Sequence, residues 1–552
     1  MKKLAYLSIT CGCFALLLVN LSISGGVKAA SKKNKNYVDG RILLKLRDDV
    51  DQQMTDDKVG EIVAGVRGSR FTRLEQDAER GPVLVQLRAG ASVEEAIAEA
   101  SQNPLVEYAE PDYRIYPAAV PDDTFFQLQW HLLNNGFGLP GADINATNAW
   151  DLTTGSDDVV VAVIDTGADL QHPDLAPNRW VNPREIPGNG VDDDGNGFVD
   201  DVNGWNFISN KPDTFEDPVV DAHATFVSGL IGAVGNNEAG VSGVAWHVKL
   251  MSLKFIGGDS GSASDAVKAI NYVIDQKKRG TNVRIINASW GGPGNSASLE
   301  NAIRKANKQG ISFVCAAGNG GNDGSGDDLE QVADYPSTWS TEVPSIISVA
   351  ALDANDQLAS FSNFGHSVVQ VGAPGVQVFS TNVGGTYSSG SGTSFSAPLV
   401  SGIVALLVAR EPELTPSQIR DRIVRTADPL GSLASKVQSS GRANAFNVLT
   451  NTVPHGPSKP VIGSVSVNKK FVFVDGVGFV NGSSVIEIDG MALGKLNYDS
   501  SFVLADGSTT RISSKLGKDG IKVMLPQFQI VTVTVFNPST GERSNGFQFQ
   551  RR

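Results

Sequence analysis

Residues 159–167 read VVVAVIDTG, an unbroken apolar run that ends in Asp165, Thr166 and Gly167. A strand with one wet face alternates apolar and polar side chains. A continuous run belongs to a strand covered on both faces, as in a parallel sheet flanked by helices. The pattern recurs further along the chain, with strands read over VKLMSLKF, VRIINAS and ISFVCAAGN and helices over DAVKAINYVIDQKK and LENAIRKANKQG. This alternation predicts a doubly wound, mostly parallel α/β sheet. Sites in such sheets lie at the carboxyl ends of the strands, where Asp165, Ser289 and Asn319 fall. A closing helix is predicted over TPSQIRDRIVRTA, where Thr415, Pro416 and Gln418 make a capping-box start.

At 552 residues the chain is too long for one core. Residues 1–30 carry two early lysines, a long apolar stretch and Val27-Lys28-Ala29, which reads as a cleaved secretion signal or, alternatively, an uncleaved anchor. No later segment reads as membrane-spanning. Residues 31–117 read as a small α+β domain: strands over RILLKL, PVLVQL and LVEYAEPDY, and a helix over SVEEAIAEAS with Val93, Ile97 and Ala100 on its apolar face. The α/β domain spans 122–450 and a linker 451–459. Residues 460–552 hold short alternating strands, KVMLP among them, and read as an all-β sandwich. Once the signal is gone, with Cys11 and Cys13, Cys315 is alone, so no intramolecular disulfide is available and its apolar setting predicts a buried thiol. The formal net charge of -13 argues against a nucleic-acid partner and favours cations.

The chemistry concentrates in a few places. Residues 390–402, GSGTSFSAPLVSG, crowd small residues around Ser394 ahead of an apolar helical run with Pro398 in its first turn. Ser394 then stands where a loop enters a helix, with first-turn N–H groups facing any negative oxygen formed beside it, a candidate nucleophile. His223 opens a helix in HATFVSG and Asn319 lies in AAGNG. Taken singly, each has an ordinary structural reading as a turn residue or a packed histidine. Together, in the order Asp165, His223, Asn319, Ser394, these motifs resemble the subtilases, and the ending VEYAEPDY resembles the close of their inhibitory propeptide. An α/β-hydrolase would run Ser, acid, His around G-x-S-x-G, which is absent.

The resemblance implies a serine endopeptidase made as a zymogen, secreted and monomeric, with its own propeptide as intramolecular inhibitor, polypeptide substrates, and no lasting membrane insertion. Ser394 would be the nucleophile, His223 its base, Asp165 the residue fixing the imidazole tautomer, and Asn319 the oxyanion donor. Ser289, Trp290 and Gly291 would pair with substrate backbone, while Ala317 and Gly318 would line the pocket for the residue before the scissile bond. With Gly291 also small, that pocket is expected to be roomy, uncharged and apolar in preference. The acidic insertion 320–334 pulls the other way, toward Lys or Arg. The family usually has H-G-T-H where this chain has His223-Ala224-Thr225-Phe226, and Met-Ala where it has Phe395-Ser396, so altered packing is expected at the site. The pattern GVGF…VIEIDG…VTVFNP resembles IPT/TIG modules. The alternative function is an inactive exported binding or adhesion protein acting through that module.

Residues 188–203, GNGVDDDGNGFVDDVN, place Asp192, Asp194, Asn196, Phe198 (by its carbonyl) and Asp200 at the ligand positions of a calcium loop, with Asp201 in reserve because Asn203 replaces the closing Glu. By resemblance alone, Asp123, Asp174 and Asn237 form a second Ca2+ site.

Overall fold

The computed structural model describes residues 37–47, 55–74, 81–113, 120–321, 323–454, 460–480, 483–494, 496–498, 502, 504, 508–537 and 542–551. The signal at 1–30, residues 117–119 of the maturation segment and residues 455–459 of the linker lie outside the described residues. The chain forms two compact units that divide after Ile115.

In the first unit, a four-stranded antiparallel sheet runs in the order Gly68–Arg73, Val83–Leu87, Tyr37–Leu46, Val106–Tyr113. Alternate residues Ile42, Leu44 and Leu46 point into a core shared with two helices. The helix Val93–Ala100 starts where Ser92 accepts a hydrogen bond from the Glu95 N–H, and it buries Val93, Ala96 and Ala100, so Ile97 sits at the margin of the stripe rather than in it. A further helix, Asp56–Gly65, capped by Thr55, occupies a stretch that sequence periodicity left undefined.

The second unit is built on a nine-stranded sheet. From one edge the order is Asp428–Pro429, Gly441–Arg442, Val371–Pro374, Ile346–Leu352, Ser312–Ala316, Val283–Ala288, Gly155–Asp165, His247–Lys254, Gly204–Asn206. Only the outermost pair, Asp428–Pro429 with Gly441–Arg442, is antiparallel. The apolar run splits by parity, as a strand's two-residue period requires: Val159, Val161 and Val163 enter one core, and Val160, Ala162 and Ile164 the other. Each valine and the isoleucine is worth ~1.5–3 kcal/mol when fully buried, which is why this strand sits in mid-sheet. From it the chain goes first to the edge strand Gly204–Asn206, returns as His247–Lys254, and then crosses to the opposite side as Val283–Ala288. That reversal opens a crevice at the carboxyl ends.

The helix bearing Ser394 runs Thr393–Arg410, beginning earlier than the sequence reading implied, so Pro398 is its sixth residue and lies inside it. Leu399, Ile403 and Leu407 pack it against the Val161 face of the sheet. It is the one helix among the described residues long and apolar enough to cross a membrane, contrary to the expectation of none, but most of it is buried in this core. The helix Pro416–Arg425 carries the expected capping box between Thr415 and Gln418. Cys315 is free and buried, and burial pushes its thiol pKa up.

Beyond residue 460, two antiparallel sheets of four and five strands enclose one apolar core. This part is not all-β: KVMLP, read as a strand, is the end of a helix, Gly517–Met524, whose Ile521 is buried. It packs directly on the α/β domain. A β-carbon on Gly463 would lie 1.7 Å from the Gly431 carbonyl oxygen, and Ser435 donates to Asp475 at 2.6 Å.

Candidate active site

Asp165 ends the central strand fully buried. Its Oδ1 accepts from the Thr166 N–H at 2.7 Å and lies 2.8 Å from His223 Nδ1. His223 is the second residue of the helix Ala222–Gly232. Thr166 ties the two elements together by accepting from the Ala224 N–H at 3.1 Å. Burial lowers the His223 pKa, but the Asp165 charge and hydrogen bond outweigh it and raise the ring above its ordinary value. Sequence reasoning missed a buried ion pair beneath these groups. Lys254, at the end of the adjoining strand, pairs with Asp221, the N-cap of the histidine helix, and donates to the Thr166 carbonyl.

Pro398 explains the setting of Ser394. A proline has no N–H, so the Ser394 carbonyl, four residues earlier, loses its helical donor. Ser289 Oγ takes that role at 2.8 Å. In return, Ser394 Oγ donates to the Ser289 carbonyl at 3.1 Å, rather than to His223 as the sequence reading anticipated. Asn287 orients Ser289 from below (3.0 Å) and is itself held by Ser401 (2.8 Å). Hydrogen bonds between a nucleophile and its base commonly tighten only when substrate is bound.

Asn319 presents its amide in one sense. Its Oδ1 accepts from Thr393 twice, from N at 2.9 Å and Oγ1 at 2.8 Å, so Nδ2 is left as the donor. Thr393 Oγ1 also accepts from the Gly318 N–H at 3.2 Å. The β-carbon that Gly392 lacks would stand 3.6 Å from Asn319 Nδ2 and 3.8 Å from the Ser394 backbone N. The glycine therefore keeps two N–H donors clear on one side of Ser394. Neither Thr393 nor Gly392 had been singled out, although both lie inside the serine motif.

The two departures from the family pattern prove to be one feature. Phe226 and Phe395 pack as tilted rings with centroids 4.3 Å apart, and the Phe395 ring lies 5.6 Å from that of His223.

The expected substrate wall is rearranged. Trp290 turns inward, its Nε1 donating to the Ile164 carbonyl at 2.7 Å and its ring against Phe255. Ala317 is fully buried in a separate apolar cluster with Leu329 and Leu352, so it lines no pocket. Gly318 and Gly291 do face one another, but with the Asp334 carboxylate between them, so the pocket is not uncharged.

In the acidic loop, three carboxylates gather: Glu185, Asp194 and Asp201, with oxygens within 4.8 Å of one another. The loop spacing names Asp194 and Asp201 but not Glu185, which lies outside the motif. Asp192 instead closes the loop on the Asn196 and Gly197 N–H groups, and Asp200 on those of Asn189 and Gly190. Asn196 donates to Asp201, and Phe198 turns its ring onto Tyr272. Burial, with the neighbouring Asp194 charge adding to it, raises the Asp201 pKa. The buried Asp194 Oδ1 has no hydrogen-bond donor among the described residues, only Arg279 at 3.7 Å. This donor set, rich in hard oxygens and short of positive charge, fits Ca2+. At the second site Asn237 donates to Asp174 at 3.2 Å, and Asp123 keeps a buried oxygen without a donor among the described residues. Asp123 supplies that site's open oxygen, while Asn237 turns an N–H toward Asp174.

Residues 156–453, more than half of the chain, match the model of the subtilase family. The chain belongs to that family. Residues 25–112 match the fervidolysin N-terminal prodomain. The thermophilic serine proteinase of Bacillus sp. (strain AK1) is 31% identical over 415 residues, covering 75% of this chain and 88% of that protein. Subtilisin of Bacillus pumilus is 38% identical over 280 residues, 50% of this chain and 86% of its own. A solved protease structure from Pseudoalteromonas arctica is 28% identical with a TM-score of 0.47, covering 60% of this chain and 99% of that one. This subtilase is therefore a serine endopeptidase with an N-terminal prodomain, made as a zymogen.

Proposed function

We propose that this subtilase is a secreted, calcium-stabilised, monomeric endopeptidase that cleaves extended polypeptides through an acyl-enzyme on Ser394. What supports the reading most is the meeting of the Asp165–His223 pair with the segment of Ser394 and its two N–H donors at the carboxyl ends of the strands. Ser394 Oγ attacks the scissile carbonyl carbon while its proton passes to His223 Nε2. Asp165 holds Nδ1–H and stabilises the imidazolium that forms. The oxygen that becomes negative takes hydrogen bonds from Asn319 Nδ2 and the Ser394 N–H. His223 then protonates the departing amine as the C–N bond breaks, and water, deprotonated by His223, hydrolyses the ester. Extended substrate runs along the main chain of Ser289, Trp290 and Gly291 as an added strand.

Asn319→Ala tests the oxyanion assignment. The variant's kcat is expected to fall about 100- to 1000-fold, the range found for subtilisin, a relative, with the fold retained although the Thr393 N–H and hydroxyl lose their shared acceptor. An unchanged kcat removes Asn319 from the site.

The leader at 1–30 supports secretion, and the prodomain is the intramolecular inhibitor, removed by a cut within 117–122. The C-terminal part, residues 460–552, is read as an IPT/TIG-like sandwich, a spacer or binding module. Ca2+ would be held by Glu185, Asp194 and Asp201, and at a second site by Asp123, Asp174 and Asn237. Like charges this close repel one another without a cation, so chelation is expected to lower the thermal midpoint. The loss is about 2.7 kcal/mol relative to calcium at a hundred times its Kd. The double variant Glu185→Ala/Asp194→Ala should lose most of the calcium response, and an unaltered response would make the loop a solvated turn.

A further inference from the structure

Two neighbouring strand ends carry glycines, and an acid stands between them. Gly291 follows the strand Val283–Ala288, and Gly318 follows its neighbour Ser312–Ala316. A β-carbon on Gly291 would come within 2.4 Å of Asp334 Oδ1, and one on Gly318 within 3.1 Å of Asp334 Oδ2. The carboxylate is held there by its own chain. Tyr335 pairs antiparallel with Gly292 through two main-chain hydrogen bonds of 2.8 and 3.0 Å, and the Asp334 N–H donates to Thr338 at 3.1 Å. The nucleophile's segment adjoins both strand ends. Ser289, two residues before Gly291, exchanges hydrogen bonds with Ser394, and Gly318 precedes Asn319.

Asp334 Oδ1 is buried and has no hydrogen-bond donor among the described residues, and none of the described lysines, arginines or histidines forms an ion pair with it. Burial pushes the carboxyl up to about 6, and the Asp327 charge adds to this against a restraining hydrogen bond from Gly292. In its charged form the half-buried group has no cationic partner among the described residues, which is costly until a cation reaches it.

We infer that Asp334 is the specificity determinant of this protease, selecting substrates with Lys or Arg immediately before the scissile bond. The inference rests on Ser394 being the nucleophile. With Ser394 holding the scissile carbonyl, the side chain of the preceding residue enters between the main-chain walls at Gly291 and Gly318. Its apolar stem lies along the glycines and its cationic end meets Asp334. A carboxylate at the base of such a pocket selects a cationic side chain, whereas an apolar side chain entering there leaves the acid desolvated and unpaired.

The test uses the matured, full-length enzyme and peptides that differ only before the scissile bond, carrying Lys, Arg, Phe, Leu or Glu. Wild type is expected to show kcat/KM at least about tenfold higher for Lys and Arg than for Phe and Leu, with Glu poorest. Asp334→Asn, which keeps the volume, should cost the Lys and Arg peptides about 100-fold while Phe and Leu stay within a few-fold, which also reports that the variant is folded. Asp334→Glu should restore part of the basic preference. Faster cleavage after Phe or Leu by wild type, or an undiminished basic preference in Asp334→Asn, overturns the inference while leaving the active-site reading intact. No cleavage of any peptide, with no covalent labelling of Ser394 by a serine-directed inhibitor, overturns both.

Discussion

Ser394→Ala is expected to lower kcat by about a million-fold, the scale found for the nucleophile of subtilisin, a relative, and to leave the protein as uncleaved precursor. The size follows from what the hydroxyl does. Without it His223 has no proton to receive and no acyl-enzyme forms, while the two oxyanion donors remain and preserve only the rate they give to direct attack by water. The fold should hardly register the change. The Ser394 hydroxyl supplies one hydrogen bond, to the Ser289 carbonyl, worth ~1 kcal/mol. The reciprocal bond, from Ser289 Oγ, ends on the Ser394 backbone and survives. The same nucleophile is expected to make the cut within residues 117–122, so mass measurement on protein expressed without other proteases should find the prodomain attached. Mature, active enzyme from this variant would overturn the assignment of Ser394.

Much of this was legible along the chain because it is local. The parity of VVVAVIDTG dictates a strand buried on both faces, and the cap signature at Thr415 fixes a helix start within a residue. Four motifs in one order named Asp165, His223, Asn319 and Ser394. What was not legible depends on residues far apart in the chain. Glu185 joins Asp194 and Asp201 only because the loop doubles back on it, whereas a spacing rule could nominate only residues within the loop itself. The Phe226 and Phe395 departures look like two losses until the helices carrying them pack ring on ring.

Small residues were the other source of error. Counting Ala317, Gly318 and Gly291 as pocket lining assumed that a small residue beside a strand end faces the cleft. Ala317 instead lies just past its strand, buried against Leu329 and Leu352, and Asp334 stands beside the two glycines, brought there by a loop whose path nothing in its composition specifies. Pro398 shows the converse. A residue read as a helix-start signal acts inside the helix, where its missing N–H frees the carbonyl that locks Ser394 to Ser289.

Asp165→Asn is expected to lower kcat by about ten-thousand-fold and, unlike a merely structural lesion, to move the acid limb of the pH profile. The amide keeps the shape of the carboxylate but can offer an N–H where His223 needs an acceptor. The ring then takes the other tautomer, with Nε2 protonated and unable to accept from Ser394. The pH shift follows from the balance at His223. In the wild type, burial lowers the ring's pKa while the Asp165 charge and hydrogen bond raise it by more, so the net value lies above the ordinary ~6.5. Only the neutral ring can serve as base. Wild-type kcat/KM should therefore climb with pH through a midpoint above that value. With asparagine the lifting charge is gone and burial alone remains, so the midpoint of the residual activity should move to lower pH. Measuring kcat/KM across the acid limb for both proteins decides it: a variant with a reduced plateau and an unmoved midpoint would mean that Asp165 holds the histidine in place without setting its charge.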